Sequence, residues 1–182
     1  ALLAAPEGAI PLVTSPNNPT GGVVSRRFVR ALADRFPVVL LDQAYVDFAE
    51  PEDDLLSLVD EVPNLAVFRT LSKAYSAAGF RIGYAVASTE LAREIQKGVL
   101  PFSVDLAAEE LALALLAAGE TAEKSVRVIR AERDGLAAAL TALGLAVAPA
   151  RGNFLYFAVG DASRVRSGLL ERGVKVRDLS GH

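Results

Sequence analysis

The segment TLSKAYSAAGFRIG, residues 70–83, places a lysine among small and apolar residues, eight positions before an arginine. Only four of the 19 basic residues are lysines, so Lys73 stands out in a chain that otherwise uses arginine. An amine is nucleophilic only when it is deprotonated, and burial lowers the pKa of a lysine, which suits Schiff-base chemistry. Thr70 and Ser72 add hydroxyls, and Arg81 adds a fork of N–H donors that matches a phosphate. The alternative for a single lysine is a solvated surface position.

Two further segments carry polar residues where a buried strand is expected to end. In SPNNPTGG, residues 15–22, prolines on both sides of two asparagines fix a rigid turn that aims an amide side chain such as that of Asn18. In LLDQAYVDF, residues 40–48, Asp42 ends a very apolar run and Tyr45 follows three residues later. An unpaired charge there would be costly, which favours a buried cation such as a protonated ring nitrogen as the partner of Asp42. The alternatives are an ordinary loop for the first segment and a helix cap for Asp42.

A fourth segment, VKVRDL at residues 174–179, carries Arg177 late in the chain. Taken alone, it is most simply an arginine at a strand end paired with Asp178.

The apolar pattern around these residues predicts the elements that position them. Strands are predicted at residues 10–15, 38–42 and 65–70, with a helix capped by Ser25 between the first two, so the chain begins as a βαβ unit of a mostly parallel sheet. A fourth strand at 81–88 follows too closely for a crossover and is expected to return antiparallel. Polar residues at the ends of neighbouring strands would share one crevice.

The C-terminal part of the sequence has a different texture. Residues 104–143 are predicted to be helical with a break near Gly119, and strands at 145–149, 153–159 and 174–178 enclose a helix at 161–172. We therefore predict an α/β protein in two parts: a first domain over residues 1–120 and a small α+β domain over residues 121–182.

Composition excludes several classes of function. The net charge of −3 gives no basic footprint for nucleic acid, and no apolar run approaches the length of about 20 residues that a membrane helix needs. The chain has no cysteine, and its single histidine is the final residue, His182, so neither a Ser-His-Asp triad nor a metal site is expected. The N-terminus does not resemble a signal peptide, and we expect a cytoplasmic protein.

Together these residues describe a site for pyridoxal phosphate, which needs an amine for its aldehyde, an acid for its ring nitrogen, donors for its phenolic oxygen and an arginine with hydroxyls for its phosphate. The sequence resembles the pyridoxal-phosphate-dependent aminotransferases of fold type I, and most closely the histidinol-phosphate aminotransferases. The resemblance rests on five segments in family order: SPNNPTG, VVLLDQAYVDF, FRTLSKAYSAAGFRIGYAVAS, RGNFLYF and GVKVRDL.

The resemblance implies a role for each matching residue. Lys73 would form the Schiff base with the cofactor and shuttle the substrate proton, and Asp42 would hold the pyridine nitrogen protonated. Asn18 and Tyr45 would bond the phenolic oxygen. The remaining implied ligands are Arg81, Ser72 and, less directly, Thr70 for the cofactor phosphate, and Arg177 for the substrate's phosphate or carboxylate. Asn153 lies in a family motif without an assigned role.

The resemblance covers only the C-terminal half of the family's length, so we expect the chain to need a missing N-terminal half or a second copy of itself. The implied reaction is amino transfer from a donor amino acid to a keto acceptor such as imidazole acetol phosphate. The alternatives are a non-catalytic remnant or structural module, and a related enzyme that resembles threonine-phosphate decarboxylase or an aromatic or aspartate aminotransferase.

Overall fold

Four short apolar runs form a single mixed sheet in the computed structural model, which describes residues 5, 6 and 8–180. The strands are β1 (Leu12–Thr14), β2 (Val39–Asp42), β3 (Leu65–Thr70) and β4 (Gly83–Ala87). They lie in the order β1-β2-β3-β4, with β1, β2 and β3 parallel and β4 antiparallel to β3. The predicted parallel sheet and its antiparallel return are therefore confirmed, with each strand shorter than predicted except β3.

The described residues form five α-helices: α1 (Arg26–Ala33), α2 (Thr89–Gln96), α3 (Leu106–Ala117), α4 (Gly119–Ala142) and α5 (Ala162–Glu171). The Ser25 hydroxyl accepts a hydrogen bond from the backbone N–H of Phe28, which confirms it as the cap of α1. The predicted break between α3 and α4 lies at Ala118 and Gly119. Helix α2, capped in the same way by Ser88, was not predicted. None of the helices in the described part of the chain is long and apolar enough to cross a membrane.

The hydrophobic core lies on one face of the sheet, where α1 and the segment 55–62 cover it. Every second strand residue points to this face, and each fully buried leucine or valine there contributes about 1.5 to 3 kcal/mol. The core residues are Val13, Val29, Leu32, Phe36, Val39, Leu41, Leu55, Leu58, Val62, Leu65 and Val67. On the opposite face, Leu12 is 63% exposed, so this side of the sheet is open next to β1.

The C-terminal part contains a second, smaller sheet. Strands β5 (Ala146–Val147) and β6 (Phe157–Ala158) pair antiparallel, which confirms both predicted strands in shortened form. The strand predicted at 174–178 is wrong, because this segment belongs to neither sheet. Its first residue, Val174, instead donates to the carbonyl of Leu169 at the end of α5. An apolar run becomes a strand only where a partner strand accepts its hydrogen bonds. The division into domains at residue 120 stays a prediction.

Candidate functional site

A cavity of about 420 Å³ lies at the carboxyl ends of β2 and β3, over the sheet face opposite the core. The register places Leu12, Leu40 and Phe68 on this face as an apolar floor. Five of the predicted site residues line the cavity together: Asp42, Thr70, Ser72, Lys73 and Arg81. The arrangement follows from the parallel strands, whose carboxyl ends meet at one edge of the sheet.

Lys73 is carried by the tight loop that follows β3. The backbone N–H of Ser76 donates to the carbonyl of Lys73 at 3.1 Å, and the buried residues Leu71, Ala74 and Ala77 anchor the loop against the interior. The Lys73 side chain is half-buried, and its Nζ lies 5.0 Å from the centroid of the Tyr45 ring. The aromatic face therefore holds the amine by a cation–π contact at the mouth of the cavity.

Asp42 is half-buried at the last position of β2. Its Oδ1 accepts a hydrogen bond of 2.9 Å from the backbone N–H of Ala44, which closes a local turn. This is not the helix cap that the sequence left as an alternative, because the short 3-10 helix that follows begins at Val46 with Tyr45 at its cap position. Among the described residues, Oδ2 accepts no hydrogen bond. One oxygen thus fixes the carboxylate while the other stays available to a donor in the cavity.

The hydroxyl of Thr70 lies 2.9 Å from the carbonyl of Ile82, to which it donates, and 2.9 Å from the hydroxyl of Ser72. Because a hydroxyl has a single proton, Thr70 closes the β3–β4 connection and accepts from both the hydroxyl and the backbone N–H of Ser72. The Ser72 hydroxyl must turn away from Thr70 before it can donate to a ligand. Arg81 is exposed, and its backbone is left-handed with φ of 56°, which costs about 1 to 3 kcal/mol in a residue other than glycine. Its guanidinium donates to the carbonyl of Ala78 at 2.9 Å.

Asn18 reaches the same cluster from the loop after β1. Its Nδ2 donates to the Tyr45 hydroxyl at 2.9 Å, so the two residues predicted to share one ligand atom are already in contact. The loop is seated by Gly21, which has φ of 73° and packs against the backbone of residues 149–151. A side chain at Gly21 would collide with the carbonyl oxygen of Pro149. The absence of a side chain at Gly21 therefore allows this loop to pack closely against the C-terminal part.

Phe154 belongs to the site although the sequence analysis did not single it out. Its ring meets the Tyr45 ring edge to face, with centroids 5.1 Å apart and planes at 88°. The neighbouring Asn153 is exposed, makes no side-chain hydrogen bond within the described residues, and lines neither cavity. In the RGNFLYF motif, the residue that could have indicated the site is therefore the aromatic Phe154 and not the amide Asn153.

Arg177 lines a second cavity of about 520 Å³, which it shares with Asn18, Phe154 and Arg166. The expected pairing of Arg177 with Asp178 is absent from the described residues, where Asp178 instead accepts from the hydroxyl and the backbone N–H of Ser180. These hydrogen bonds lower the pKa of Asp178. Asn18 and Phe154 both border this cavity and contact Tyr45, so they connect the two halves of the predicted site.

Charged residues join the segment after Tyr45 to the C-terminal part. Glu50 accepts from Arg130 at 2.7 Å, and Arg151 lies 3.1 Å from Asp53. The hydrogen bond from Arg130 lowers the pKa of Glu50. Close to Lys73 in sequence, burial raises the pKa of Tyr75, and the negative charge of Asp47 adds to this effect. Tyr75 is thus kept in its neutral phenol form.

The family model for aminotransferases of class I and II matches residues 1–181. The chain belongs to this family. Among curated relatives, this chain is 37% identical to histidinol-phosphate aminotransferase 1 of Dechloromonas aromatica, covering 97% of this chain and 50% of that protein. It is 41% identical to the histidinol-phosphate aminotransferase of Thermococcus kodakarensis, over 93% of this chain and 48% of that protein. The chain thus spans about half the length of the curated relatives that it matches.

Solved structures agree with the family. One is histidinol-phosphate aminotransferase from Sinorhizobium meliloti, in complex with pyridoxal-5'-phosphate. It superposes on this chain with a TM-score of 0.82 at 25% sequence identity, and the match covers 94% of this chain and 50% of the Sinorhizobium chain. L-threonine-O-3-phosphate decarboxylase from Porphyromonas gingivalis gives 0.79 at 27% identity, over 94% and 55% of the two chains. The α/β fold, as part of a larger aminotransferase fold, is therefore confirmed.

Proposed function

We propose that the protein carrying this chain is a pyridoxal-phosphate-dependent aminotransferase of the histidinol-phosphate type. The observation that carries the proposal is the donor set of the first cavity: an amine, a carboxylate with a free oxygen, a hydroxyl and a guanidinium around one apolar floor. This set fits the aldehyde, ring nitrogen and phosphate of pyridoxal phosphate. When bound, the cofactor supplies an electron sink that stabilises negative charge at the substrate's Cα.

The residues of this chain divide the remaining work. Lys73 would supply the amine for the cofactor aldehyde and would hold and move the proton at the substrate's Cα. Asp42, with Oδ2 available among the described residues, would keep the ring nitrogen protonated. Asn18 and Tyr45 bind the phenolic oxygen together, and their mutual hydrogen bond supports this assignment because it brings both polar groups to one point.

The phosphate falls to Ser72 and Arg81, with Thr70 in a supporting role. Arg81 must exchange its bond with the Ala78 carbonyl for the phosphate, and a guanidinium fork favours that exchange because two N–H groups then meet charged oxygens. Arg177 binds the acidic group of the substrate. Its place in the second cavity, beside Arg166 and away from an ion pair with Asp178, supports that role.

The keto acceptor is proposed to be a phosphate ester such as imidazole acetol phosphate, with an amino acid as donor. The relatives named as histidinol-phosphate aminotransferases support this choice over the decarboxylase and over the aspartate or aromatic aminotransferases. A non-catalytic remnant is disfavoured because five of the seven implied cofactor residues line one cavity, and the other two, Asn18 and Tyr45, contact each other.

The chain is also proposed to associate with another polypeptide, either a second copy or the remainder of the enzyme. Support comes from a long exposed apolar stretch in and before α3. Leu100 is 76% exposed, Phe102 fully exposed and Leu106 72% exposed, more than an isolated surface normally leaves in contact with water. The cytoplasmic location stays a prediction.

The proposal is tested by incubating the purified protein with pyridoxal phosphate, reducing with borohydride and mapping the adduct by peptide mass spectrometry. We expect the adduct at Lys73 in preference to Lys97, Lys124 and Lys175. In a matched pair of variants, Lys73→Arg should abolish it while Lys97→Arg leaves it unchanged. An adduct spread equally over the lysines would refute the cofactor site, and decarboxylation of a phosphorylated amino acid without amino transfer would refute the reaction.

A further inference from the structure

Arg133 is a buried cation far along the chain from the cofactor-site motifs. It lies in the middle of α4, and its side chain is only 4% exposed. Its ion-pair partner Asp134 is 66% exposed, so the buried guanidinium is paired with a carboxylate that lies largely in water. Burying a guanidinium costs free energy that an apolar side chain of similar length would not. The charge and its hydrogen bonds therefore call for an explanation other than packing.

One guanidinium nitrogen of Arg133 joins two segments that are distant in sequence. Nη1 donates to the carbonyl of Phe48 at 2.9 Å and to the carbonyl of Gly152 at 3.1 Å, and both bonds are buried. An apolar side chain could not satisfy either carbonyl, and leaving a buried carbonyl without a partner is costly. Arg133 is thus the shared donor of a buried bridge.

Each bridged carbonyl lies within three residues of one of the two aromatic residues of the site, Tyr45 and Phe154. Phe48 ends the short 3-10 turn that begins after Tyr45, and the Phe48 N–H donates back to the Tyr45 carbonyl at 3.1 Å. Gly152 lies under the folded-back ring of Phe154, so close that a Cβ at this position would collide with the ring. Holding the two carbonyls therefore fixes the backbone on both sides of the contact between Tyr45 and Phe154.

The ring whose backbone is fixed in this way, that of Tyr45, is the one that the residues proposed to bind the cofactor contact. The Tyr45 hydroxyl receives the Asn18 amide, and its ring face receives the Lys73 amine. From this geometry we propose that Arg133 is a positioning residue, which sets the orientation of Tyr45 by bridging Phe48 and Gly152. That it serves catalysis rests on the proposed function; that it orients Tyr45 does not.

The first measurement needs no cofactor. Protein labelled with 3-fluorotyrosine gives a ¹⁹F resonance for Tyr45, which Tyr45→Phe identifies. We expect Arg133→Met, which keeps the length and loses the donors, to shift or broaden this resonance by more than its line width. Arg130→Met is the matched control, because Arg130 lies one turn earlier on α4 and, within residues 8–180, its side chain bonds the Glu50 carboxylate and neither of the two carbonyls. It should leave the Tyr45 resonance in place.

Rescue separates positioning from general stability. Arg133→Lys keeps the charge and several N–H donors, so it should return the resonance most of the way. If Arg133→Met does not fold, Arg133→Gln replaces it, since its shorter side chain cannot reach both carbonyls and the same shift is expected. An unchanged Tyr45 resonance in a folded variant without the two-carbonyl bridge would overturn the proposal, as would an equal shift in Arg130→Met.

The second measurement links the bridge to the cofactor site. The yield of the borohydride-trapped adduct at Lys73 should fall at least severalfold in Arg133→Met and not in Arg130→Met. If the unaltered protein forms no adduct at Lys73, the proposed function fails while the ¹⁹F result still decides the role of Arg133. If the adduct forms equally in all variants, Arg133 orients Tyr45 without serving the cofactor site, and the catalytic part of the inference is overturned.

Discussion

Replacing Gly21 with alanine should destabilise the protein far more than the same change at its neighbour Gly22. Gly21 adopts φ of 73°, a left-handed conformation that costs a residue with a Cβ about 1 to 2 kcal/mol. The new Cβ would also collide with the Pro149 carbonyl and lie 3.2 Å from the Cα of Ala150. Overpacking against backbone adds about 1 to 3 kcal/mol, so the free energy of unfolding should fall by roughly 2 to 5 kcal/mol.

Gly22 is the matched control because it belongs to the same turn and is one residue away. A Cβ there would meet only the Thr20 hydroxyl oxygen, at an ordinary 3.5 Å. Where the backbone conformation is allowed, glycine to alanine stabilises a protein by about 0.4 to 1 kcal/mol through the unfolded state. Urea denaturation followed by circular dichroism measures both variants. If the two differ by less than about 0.5 kcal/mol, the close packing of this loop on residues 149–151 is wrong.

Three further predictions concern stability. Ser25→Ala should lower the free energy of unfolding by about 1 kcal/mol, because the first turn of α1 loses its cap. Asp54→Asn should cost about 1 to 3 kcal/mol, because the Arg69 side chain is only 10% exposed and loses its ionic partner. Glu50, whose pKa is lowered by Arg130, stabilises the fold above its unfolded-state pKa of 4.5, and this contribution is lost as the pH falls through the lower folded-state value. The stability difference between the unaltered protein and Glu50→Gln should therefore shrink on acidification.

Each of these predictions has a control in urea denaturation. Ser167 lies in the middle of α5 and makes no side-chain hydrogen bond among the described residues. Ser167→Ala should therefore leave the free energy of unfolding unchanged, and a decrease equal to that of Ser25→Ala would contradict the capping role of Ser25. Glu94→Gln breaks an ion pair with Lys97 that is more than 60% exposed on both sides, so it should change stability by less than about 0.5 kcal/mol. For Glu50, a stability difference that is the same at about pH 6 and about pH 3 would refute the assigned pKa shift.

Local patterns in the sequence were sufficient to predict most of the sheet and to bring five of the predicted site residues to one edge of it. Asp42 and Thr70 end apolar runs, and the ends of neighbouring parallel strands meet whatever the rest of the chain does. The short connection between β3 and β4 likewise left only an antiparallel return. These features depend on residues close together in sequence and on chirality, which is why they could be predicted.

The failures depend on partners that a local pattern does not contain. Apolar and polar residues alternate over residues 174–178 as in a strand. However, β5 and β6 pair with one another, so this segment has no partner strand. Phe154 and Arg133 were missed for the same reason, since the first matters through Tyr45 and the second through two backbone carbonyls. Nothing in a run of helical arginines distinguishes the buried one from its exposed neighbours.

The two halves of the proposed site are therefore positioned by different physical means. Strand ends and their loops hold the residues proposed for the cofactor, so the hydrophobic core behind the sheet fixes that half. Arg177 and Phe154 come from the C-terminal part, which meets the loop after β1 at Gly21 and the segment after Tyr45 through Arg133 and charged pairs. Because each of these contacts involves a few polar groups or one close approach, we expect substitutions there to move the C-terminal part while the hydrophobic core stays intact. Arg133 differs from the others because its bridge also holds Tyr45, so its replacement should affect both halves.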